Sequence, residues 1–277
     1  VYKRQVNDST TLNLIRKYLK AGVMEKGLEK ATTSGVPQGG PLSVVLSNVY
    51  LDKLDKELEQ RGLRFTRYAD DTMVFTKSEM AANRVMKSIT DWIERKLFLK
   101  VNATKTKVVR PTRSKYLGFT FLNHGGEWKV KPTTEKKKKL KQKLSEYIKR
   151  NKAVARPLAV TIKRVNEIVR GWINYFRIGM MKTFMQEFGA WLRHKIRVIV
   201  IKQWKTPKTI YRNLCYLNQK NKNGFDHEAI YKVANSRLGW YRRSGMNVVN
   251  FIISPDLLEN KIKDGAGLLN PLNYYLR

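Results

Sequence analysis

The sequence predicts an α+β fold, in which an antiparallel sheet with packed helices precedes an all-helical region. Residues 64–77 form an apolar, β-prone run with turn residues in its middle, which is typical of a β-hairpin. Residues 116–131 repeat this pattern, with Gly125-Gly126 as the expected turn. Beyond Pro132, apolar residues recur at helical spacing and lysines become frequent.

The first half of the chain combines helices, strands and one long loop. Apolar spacing predicts helices over 10–24, 43–58 and 79–97. Residues 34–42 contain two prolines and three glycines, which predict a loop. A strand is expected near 98–102, where it would join the two hairpins in a sheet.

The second half is predicted to be helical over 133–150, 157–178 and 181–204. Trp172 and Phe176 fall on the apolar stripe of the second of these helices, so we expect them in the core. Residues 206–277 are basic and richer in Asn and Gly, and their pattern predicts no clear secondary structure.

The composition points to a polyanionic partner. The chain of 277 residues carries 56 Lys and Arg against 22 Asp and Glu, a net charge of +34. Such an excess favours nucleic acid, because each phosphate that is neutralised releases counterions. No apolar run reaches the about 18 residues of a membrane span, so no membrane partner is predicted. Cys215 is the one cysteine, which excludes an internal disulfide and fits a cytoplasmic setting.

Two adjacent carboxylates, Asp70 and Asp71, lie at the expected tip of the 64–77 hairpin. They repel each other unless cations are bound there, and their oxygens suit Mg²⁺. Two Mg²⁺ ions about 3.5–4 Å apart are a recurrent device for phosphoryl transfer. Taken alone, the pair also fits an ordinary acidic turn.

The 34–42 loop is the second candidate site. Glycines let backbone approach a ligand closely, and Gln38 offers an amide side chain. The following helix starts at this loop, and helix N-termini favour phosphate groups. An ordinary tight loop before a helix explains the same residues.

The order of the motifs is more specific than any one of them. It runs from Gly-Val-Pro-Gln-Gly-Gly-Pro-Leu-Ser through an amphipathic helix, Tyr-Ala-Asp-Asp and Lys-Thr-Lys to Tyr-Leu-Gly-Phe. This series resembles the palm of reverse transcriptases. The block Gly-Trp-Ile-Asn-Tyr-Phe at 171–176 resembles the thumb, or maturase-specific domain, of group II intron reverse transcriptases. The resemblance implies a palm over 1–131, a helical thumb over 132–205 and a DNA-binding tail over 206–277.

The resemblance implies two-metal catalysis with Mg²⁺. Asp70 would be the principal metal ligand and Asp71 an assisting carboxylate. Binding roles follow residue by residue. The residues that would lie near the primer end and the incoming deoxynucleoside triphosphate are Tyr68, Ala69, Pro37, Gln38 and Gly39. Lys105, or Lys107 in the same motif, would neutralise or protonate the leaving pyrophosphate. Leu117, Gly118 and Phe119 match the primer grip.

The resemblance also implies that basic helices bind the template–primer duplex and intron RNA. Charges between the buried aromatics would face outward and contact phosphates. The residues expected on this surface are Lys136, Lys137, Lys138, Arg170, Arg177, Arg193 and Lys195. Aromatic and basic residues of the tail, among them Tyr211 and Trp240, would contact target DNA.

One departure from the family pattern concerns the metal site. Reverse transcriptases use a further aspartate on an earlier palm strand, and none of the acids before residue 60 fits that context. Asp8 precedes a helix as a cap, and Asp52 and Asp55 fall on the 43–58 helix. The finger segments are also missing and the chain starts at Val1. We therefore expect a longer parent protein, and no polymerisation by residues 1–277 alone.

The sequence thus predicts an RNA-directed DNA polymerase with maturase activity and a role in intron mobility. Two alternatives stay open. One is an RNA-binding splicing maturase without polymerase activity, and the other is a retron or CRISPR-associated reverse transcriptase.

Overall fold

The protein is described here by a computed structural model covering residues 6–25, 28–30, 40, 42–260 and 267–277. For residues 23–25 and 28–30 it describes the backbone only. The chain divides into two compact units, Val1–Arg110 and Pro111–Arg277.

In its described residues, the first unit contains three α-helices and two antiparallel hairpins. Its helices are α1 (Ser9–Lys20), α2 (Ser43–Gln60) and α3 (Glu79–Trp92). A π-helical turn, Ile93–Leu97, extends α3. Its strands are β1 (Val23–Glu25), β2 (Leu28–Lys30), β3 (Arg64–Tyr68) and β4 (Asp71–Phe75), paired as β1–β2 and β3–β4. Asp8 caps α1, as its sequence context predicts, by accepting from the Thr10 and Thr11 amides.

A small apolar core anchors the β3–β4 hairpin. Leu54 and Leu58 of α2 are buried together with Ile89 of α3. Phe65 of β3 and Val74 of β4, which pair across the hairpin, pack against this cluster. Burial alternates along β3, so one face of that strand lies against the core, while the residues at the hairpin tip, Asp70 and Asp71, are exposed.

Two predictions in this unit are wrong in detail. The first helix ends at Lys20 rather than at 24, and Val23 begins a strand. The strand expected near 98–102 does not form. Phe98, with φ +55°, ends the preceding helical turn in the left-handed region, and Asn102 then opens a hydrogen-bonded turn. The described strands consequently pair as separate two-stranded hairpins rather than as one sheet.

The second unit starts with a 3-10 helical turn, Pro111–Arg113, which a hairpin and then a series of helices follow. The hairpin consists of β5 (Phe119–His124) and β6 (Glu127–Pro132), joined at Gly125-Gly126 as predicted. The helices are α4 (Thr134–Tyr147), α5 (Arg150–Ala153), α6 (Leu158–Phe176), α7 (Lys182–Gln203), α8 (Pro207–Lys220), α9 (His227–Ala234), α10 (Trp240–Ser244), α11 (Asn247–Ile252), α12 (Pro255–Asn260) and α13 (Pro271–Leu276). The α+β class with a helical second half is confirmed. No helix in the described part of the chain has the length and apolar character that a membrane crossing requires.

One continuous apolar core unites the second unit. Ile173 of α6 and Leu192 of α7 are fully buried in it, and so are Leu214 of α8 and Val249 of α11. Phe176 is buried as predicted, whereas Trp172 packs at the edge of the core and is half-exposed. The helices beyond residue 206 therefore share their core with the helices before it. The functional boundaries at 131 and 205 stay a prediction.

Candidate active site and nucleic-acid interface

The two predicted catalytic carboxylates lie at the tip of the β3–β4 hairpin. The strands pair from Arg64↔Phe75 to Tyr68↔Asp71, which leaves Ala69 and Asp70 as a two-residue loop. Ala69 has φ +53°, the left-handed backbone that tight hairpin loops require. Asp70 and Asp71 are exposed, and the Tyr68 side chain is 65% exposed beside them.

Arg67 fixes this tip to α2. Its Nε and Nη2 donate to the two carboxylate oxygens of Asp55, at 2.7 and 2.5 Å. Its Nη1 donates to the Asn48 side chain at 3.0 Å and to the carbonyl oxygen of Ala69 at 2.9 Å. One guanidinium thus joins two residues of α2, seven positions apart, to the peptide that carries Asp70.

The donor chemistry of the tip fits Mg²⁺. Asp70 and Asp71 offer carboxylate oxygens, which this ion prefers, and their exposure leaves room for the water ligands that it retains. Within the described ranges, no group of three or more His, Cys, Asp or Glu residues is placed to hold a metal. The tip therefore offers two carboxylates, Asp70 and Asp71, which would form part of a ligand set.

The predicted primer grip consists of a tight turn at Leu117 and Gly118 and the first residue of β5, Phe119. The amide of Phe119 donates to the Tyr116 carbonyl at 2.8 Å, and the Tyr116 amide donates back at 3.0 Å. Leu117 and Gly118, between them, have φ of +50° and +85°, so the backbone turns in the left-handed region at both.

Side chains from α4 and α6 fix that turn. The Tyr175 hydroxyl donates to the Leu117 carbonyl at 3.0 Å. The rings of Phe119 and Phe176 lie 5.0 Å apart. A Cβ added at Gly118 would lie 3.0 Å from Lys136 Cε and 3.3 Å from Phe176 Cε1. The Tyr-Leu-Gly-Phe and Gly-Trp-Ile-Asn-Tyr-Phe motifs therefore meet in space.

The roles of the remaining predicted pocket residues stay predictions. Pro37, Gln38 and Gly39 lie outside the described residues. Lys105 is exposed in the turn that Asn102 opens, where its amide donates to the Asn102 side chain at 3.2 Å. Its role at the pyrophosphate stays a prediction.

The lysines of α4 fall into two environments. Lys136 and Lys138 are exposed, as expected for a phosphate-binding surface. Lys137 instead places its ammonium 4.9 Å from the centre of the Phe184 ring. Burial, and after it the nearby Lys131, lower the pKa of Lys137, while Glu187 acts in the opposite direction. Lys137 therefore contributes to packing as well as to charge.

The other predicted phosphate ligands also differ in exposure. Arg170 is exposed on α6. Arg177 donates to the Tyr274 carbonyl at 2.9 Å and so contacts α13. Arg193 and Lys195 are half-buried on α7, with the Lys195 ammonium 5.0 Å from the centre of the Tyr241 ring.

Sequence reasoning missed Arg67, His194 and Arg197. Asp55, one of several acids on the predicted 43–58 helix, was the available signal for an arginine partner. His194 lies at the α7–α10 contact, where its Nε2 is 3.0 Å from the Tyr241 carbonyl oxygen. Arg197 falls on the apolar stripe of α7 and is buried at 6% exposure. No spacing rule distinguishes a buried arginine from a surface one.

Comparison with protein families places both motifs in known domains. The family model described as reverse transcriptase (RNA-dependent DNA polymerase) matches residues 3–121. The model described as the maturase-specific domain of group II introns matches residues 137–216. The chain therefore carries a reverse transcriptase domain and a group II intron maturase-specific domain. The Asp70–Asp71 tip lies in the first matched domain, and the 171–176 block lies in the second.

Curated relatives match parts of this chain. Protein YkfC of Escherichia coli is 28% identical over 156 residues, covering 44% of this chain and 40% of that protein. Group II intron-encoded protein LtrA of Lactococcus lactis is 44% identical over 63 residues, covering 23% of this chain and 10% of that protein. Nuclear intron maturase 3, mitochondrial, of Arabidopsis thaliana is 26% identical over 133 residues, covering 38% of this chain and 18% of that protein. The matched segments thus span less than half the length of these relatives.

Proposed function

We propose that this protein is an RNA-directed DNA polymerase encoded within a group II intron, and that it also assists splicing of that intron. One observation carries the proposal. Two adjacent carboxylates, Asp70 and Asp71, stand at the exposed end of a two-residue hairpin loop inside a reverse transcriptase domain.

Each residue at the tip has a defined task in this proposal. Asp70 and Asp71 would hold Mg²⁺, which supplies activation of the primer 3′-hydroxyl and neutralises charge on the departing pyrophosphate. Arg67 binds the Ala69 carbonyl and so fixes the peptide that carries Asp70. The exposed ring of Tyr68 offers an apolar surface to the primer end or the incoming nucleotide.

The second unit would assist splicing by binding the intron RNA. The exposed cations of α4 and α6, among them Lys136, Lys138 and Arg170, would neutralise phosphates of the folded intron RNA. The intron supplies the chemistry, and the protein stabilises its active shape. Template–primer duplex, target DNA and deoxynucleoside triphosphates complete the proposed partners. A single cysteine, Cys215, suits work in the reducing cytoplasm.

The alternatives are less well supported. A retron or CRISPR-associated role does not explain the match to the maturase-specific domain over 137–216. A maturase without polymerase activity leaves the paired carboxylates and their arginine support unexplained.

The test is primer extension by the protein expressed from its complete reading frame, on an RNA template with a DNA primer. Asp70→Asn is expected to reduce nucleotide incorporation by at least about a hundredfold, because it removes a metal-binding charge. Template–primer affinity is expected to change little, since exposed cations rather than carboxylates bind phosphate.

Asp91→Asn is the matched control, because Asp91 is an exposed acid on α3 outside the hairpin. It is expected to retain wild-type incorporation. Wild-type extension by Asp70→Asn would reject the polymerase proposal, and an active polymerase that fails to bind intron RNA would reject the maturase proposal alone.

A further inference from the structure

Arg197 is a buried cation in the second unit. It lies on α7, and its Nε donates to the Ile253 carbonyl at 2.8 Å and its Nη2 to the Asn250 carbonyl at 3.3 Å. Among the described residues, no carboxylate forms an ion pair with it. A guanidinium taken out of water without an anionic partner is costly, and the two carbonyls at the end of α11 offset only part of that cost.

Arg197 also faces an open cavity of about 370 Å³. The cavity is lined by Ala190, Arg193, His194, Arg197, Asn250 and Pro255. Three of these six residues are basic and none is acidic, so the cavity concentrates positive potential. Arg193 and Arg197 are four residues apart on α7, a spacing at which like charges destabilise a helix.

The electrostatics show that the positive charges of this pocket interact. Burial, and after it the charge of Arg193, lower the pKa of Arg197 to about 10, so the guanidinium still carries its charge at neutral pH. Burial likewise lowers the pKa of His194, and the charges of Arg197 and Lys195 act in the same direction. An anion in the cavity would relieve all of these interactions at once.

We propose that this cavity, termed the Arg193–Arg197 pocket, binds a backbone phosphate of RNA. Its guanidinium groups match phosphate oxygens, which arginine binds in fork geometry. The four pocket residues on α7 lie within the maturase-specific match, and the chain has a net charge of +34. The RNA assignment rests on the proposed maturase function, whereas the anion pocket itself rests on the geometry.

A purely structural role for Arg197 explains less. Capping the α11 carbonyls accounts for its Nε and Nη2. It does not account for the second arginine and the histidine on the same cavity wall. An anion-binding role for the pocket accounts for Arg193, His194 and Arg197 together.

His194 provides a direct reporter of occupancy. The chain has three histidines, His124, His194 and His227, so their NMR signals can be assigned by single substitutions. A phosphate in the pocket stabilises the imidazolium form, so it is expected to raise the pKa of His194. His124 and His227 lie away from the pocket and serve as internal references.

The experiment titrates the 277-residue chain with inorganic phosphate, a single-stranded RNA and a DNA duplex of equal length. RNA is expected to raise the pKa of His194 in the wild type. Arg193→Gln, which changes a half-buried residue, should abolish most of that response, weaken RNA binding about tenfold and reduce its salt slope by about 1. Arg150→Gln removes the same charge from an exposed position on α5 and should leave the His194 response intact.

Each other outcome overturns a defined part of the proposal. A response unchanged in Arg193→Gln would reject the pocket. A response to inorganic phosphate that persists in Arg193→Gln would show an adventitious ion only. RNA binding without a His194 response, or an equal response to the DNA duplex, would reject the RNA assignment. If the wild type binds no RNA at all, the maturase proposal fails. A phosphate response dependent on Arg193 would then leave the anion pocket standing without its RNA assignment.

Discussion

The guanidinium of Arg67 and the carboxylate of Asp55 form two parallel hydrogen bonds of 2.7 and 2.5 Å. Both side chains are largely shielded from solvent, at 11% and 26% exposure. The pair holds Arg67 where it also binds the Ala69 carbonyl, so Arg67 is a positioning residue for Asp70.

Arg67→Lys is therefore expected to impair both folding and catalysis. A lysine cannot reproduce the two parallel bonds, and the substitution should lower the free energy of unfolding by about 1–2 kcal/mol. In the protein from the complete reading frame, kcat should fall at least about tenfold while the KM for nucleotide changes little, because Asp70 is misplaced rather than removed.

Urea unfolding and steady-state primer extension measure these two effects. Arg64→Lys is the matched control, since Arg64 is exposed on the same strand. Wild-type kcat in Arg67→Lys would show that Arg67 supports the fold but does not position Asp70.

The Tyr116–Phe119 turn should resist any side chain at Gly118. Gly118→Ala combines an unfavourable φ of +85° with a contact of 3.3 Å to the buried Phe176 ring. Lys136 can move aside, but the ring cannot, so we expect a loss of about 2–3 kcal/mol in unfolding free energy.

Gly126→Ala isolates the backbone part of that cost. Gly126 has nearly the same φ, +84°, but nothing lies within 4 Å of its added Cβ. It should cost about 1 kcal/mol. Equal losses in the two variants, measured by urea unfolding, would mean that the Phe176 contact carries no energy.

The stability of the chain should depend on pH through His194. Burial holds the pKa of His194 below its usual 6.5. The unfolded chain therefore binds this proton more readily. The resulting contribution to stability is present above pH 6.5 and is lost as pH falls through the folded-state value.

The wild type should thus lose more stability than His194→Gln between about pH 7.5 and about pH 5.5. Thermal unfolding at several pH values in a phosphate-free buffer measures the difference. Parallel curves for the two proteins would contradict it.

Lys137 and Lys138 should respond differently to replacement by alanine. Lys138 is exposed, so Lys138→Ala is expected to weaken RNA binding and lower the salt slope by about 1 with little change in stability. Lys137 packs on the Phe184 ring, so Lys137→Ala should cost about 0.5–1 kcal/mol of stability.

RNA titrations at several salt concentrations, with unfolding curves for the same variants, compare them. An unchanged salt slope in Lys138→Ala would refute a direct phosphate contact. A stability loss in Lys138→Ala that equals the loss in Lys137→Ala would refute the distinction between the two environments.

The local sequence pattern predicted many of the secondary-structure elements of this protein. The alternation along 64–77 and the turn residues at its centre placed Asp70 and Asp71 at a hairpin tip, and the pairing of Tyr68 with Asp71 confirms that location. Helical spacing similarly located α6 and α7, because one buried stripe repeats along each helix. The strand near 98–102 failed, since a left-handed residue at Phe98 ended the helix in a way that apolar composition does not reveal.

By itself, the sequence determined the hairpin, the main helices, the positive charge and the order of motifs that marks the family. The tertiary structure decided the rest: that Arg67 binds Asp55, that the helices beyond 206 share one core with α6 and α7, and that Arg197 is buried beside a cavity. The physical reason is the separation along the chain over which each effect acts. Periodicity and turn chemistry act between neighbours along the chain, whereas these contacts join residues 12 to 56 positions apart, and packing alone selects them.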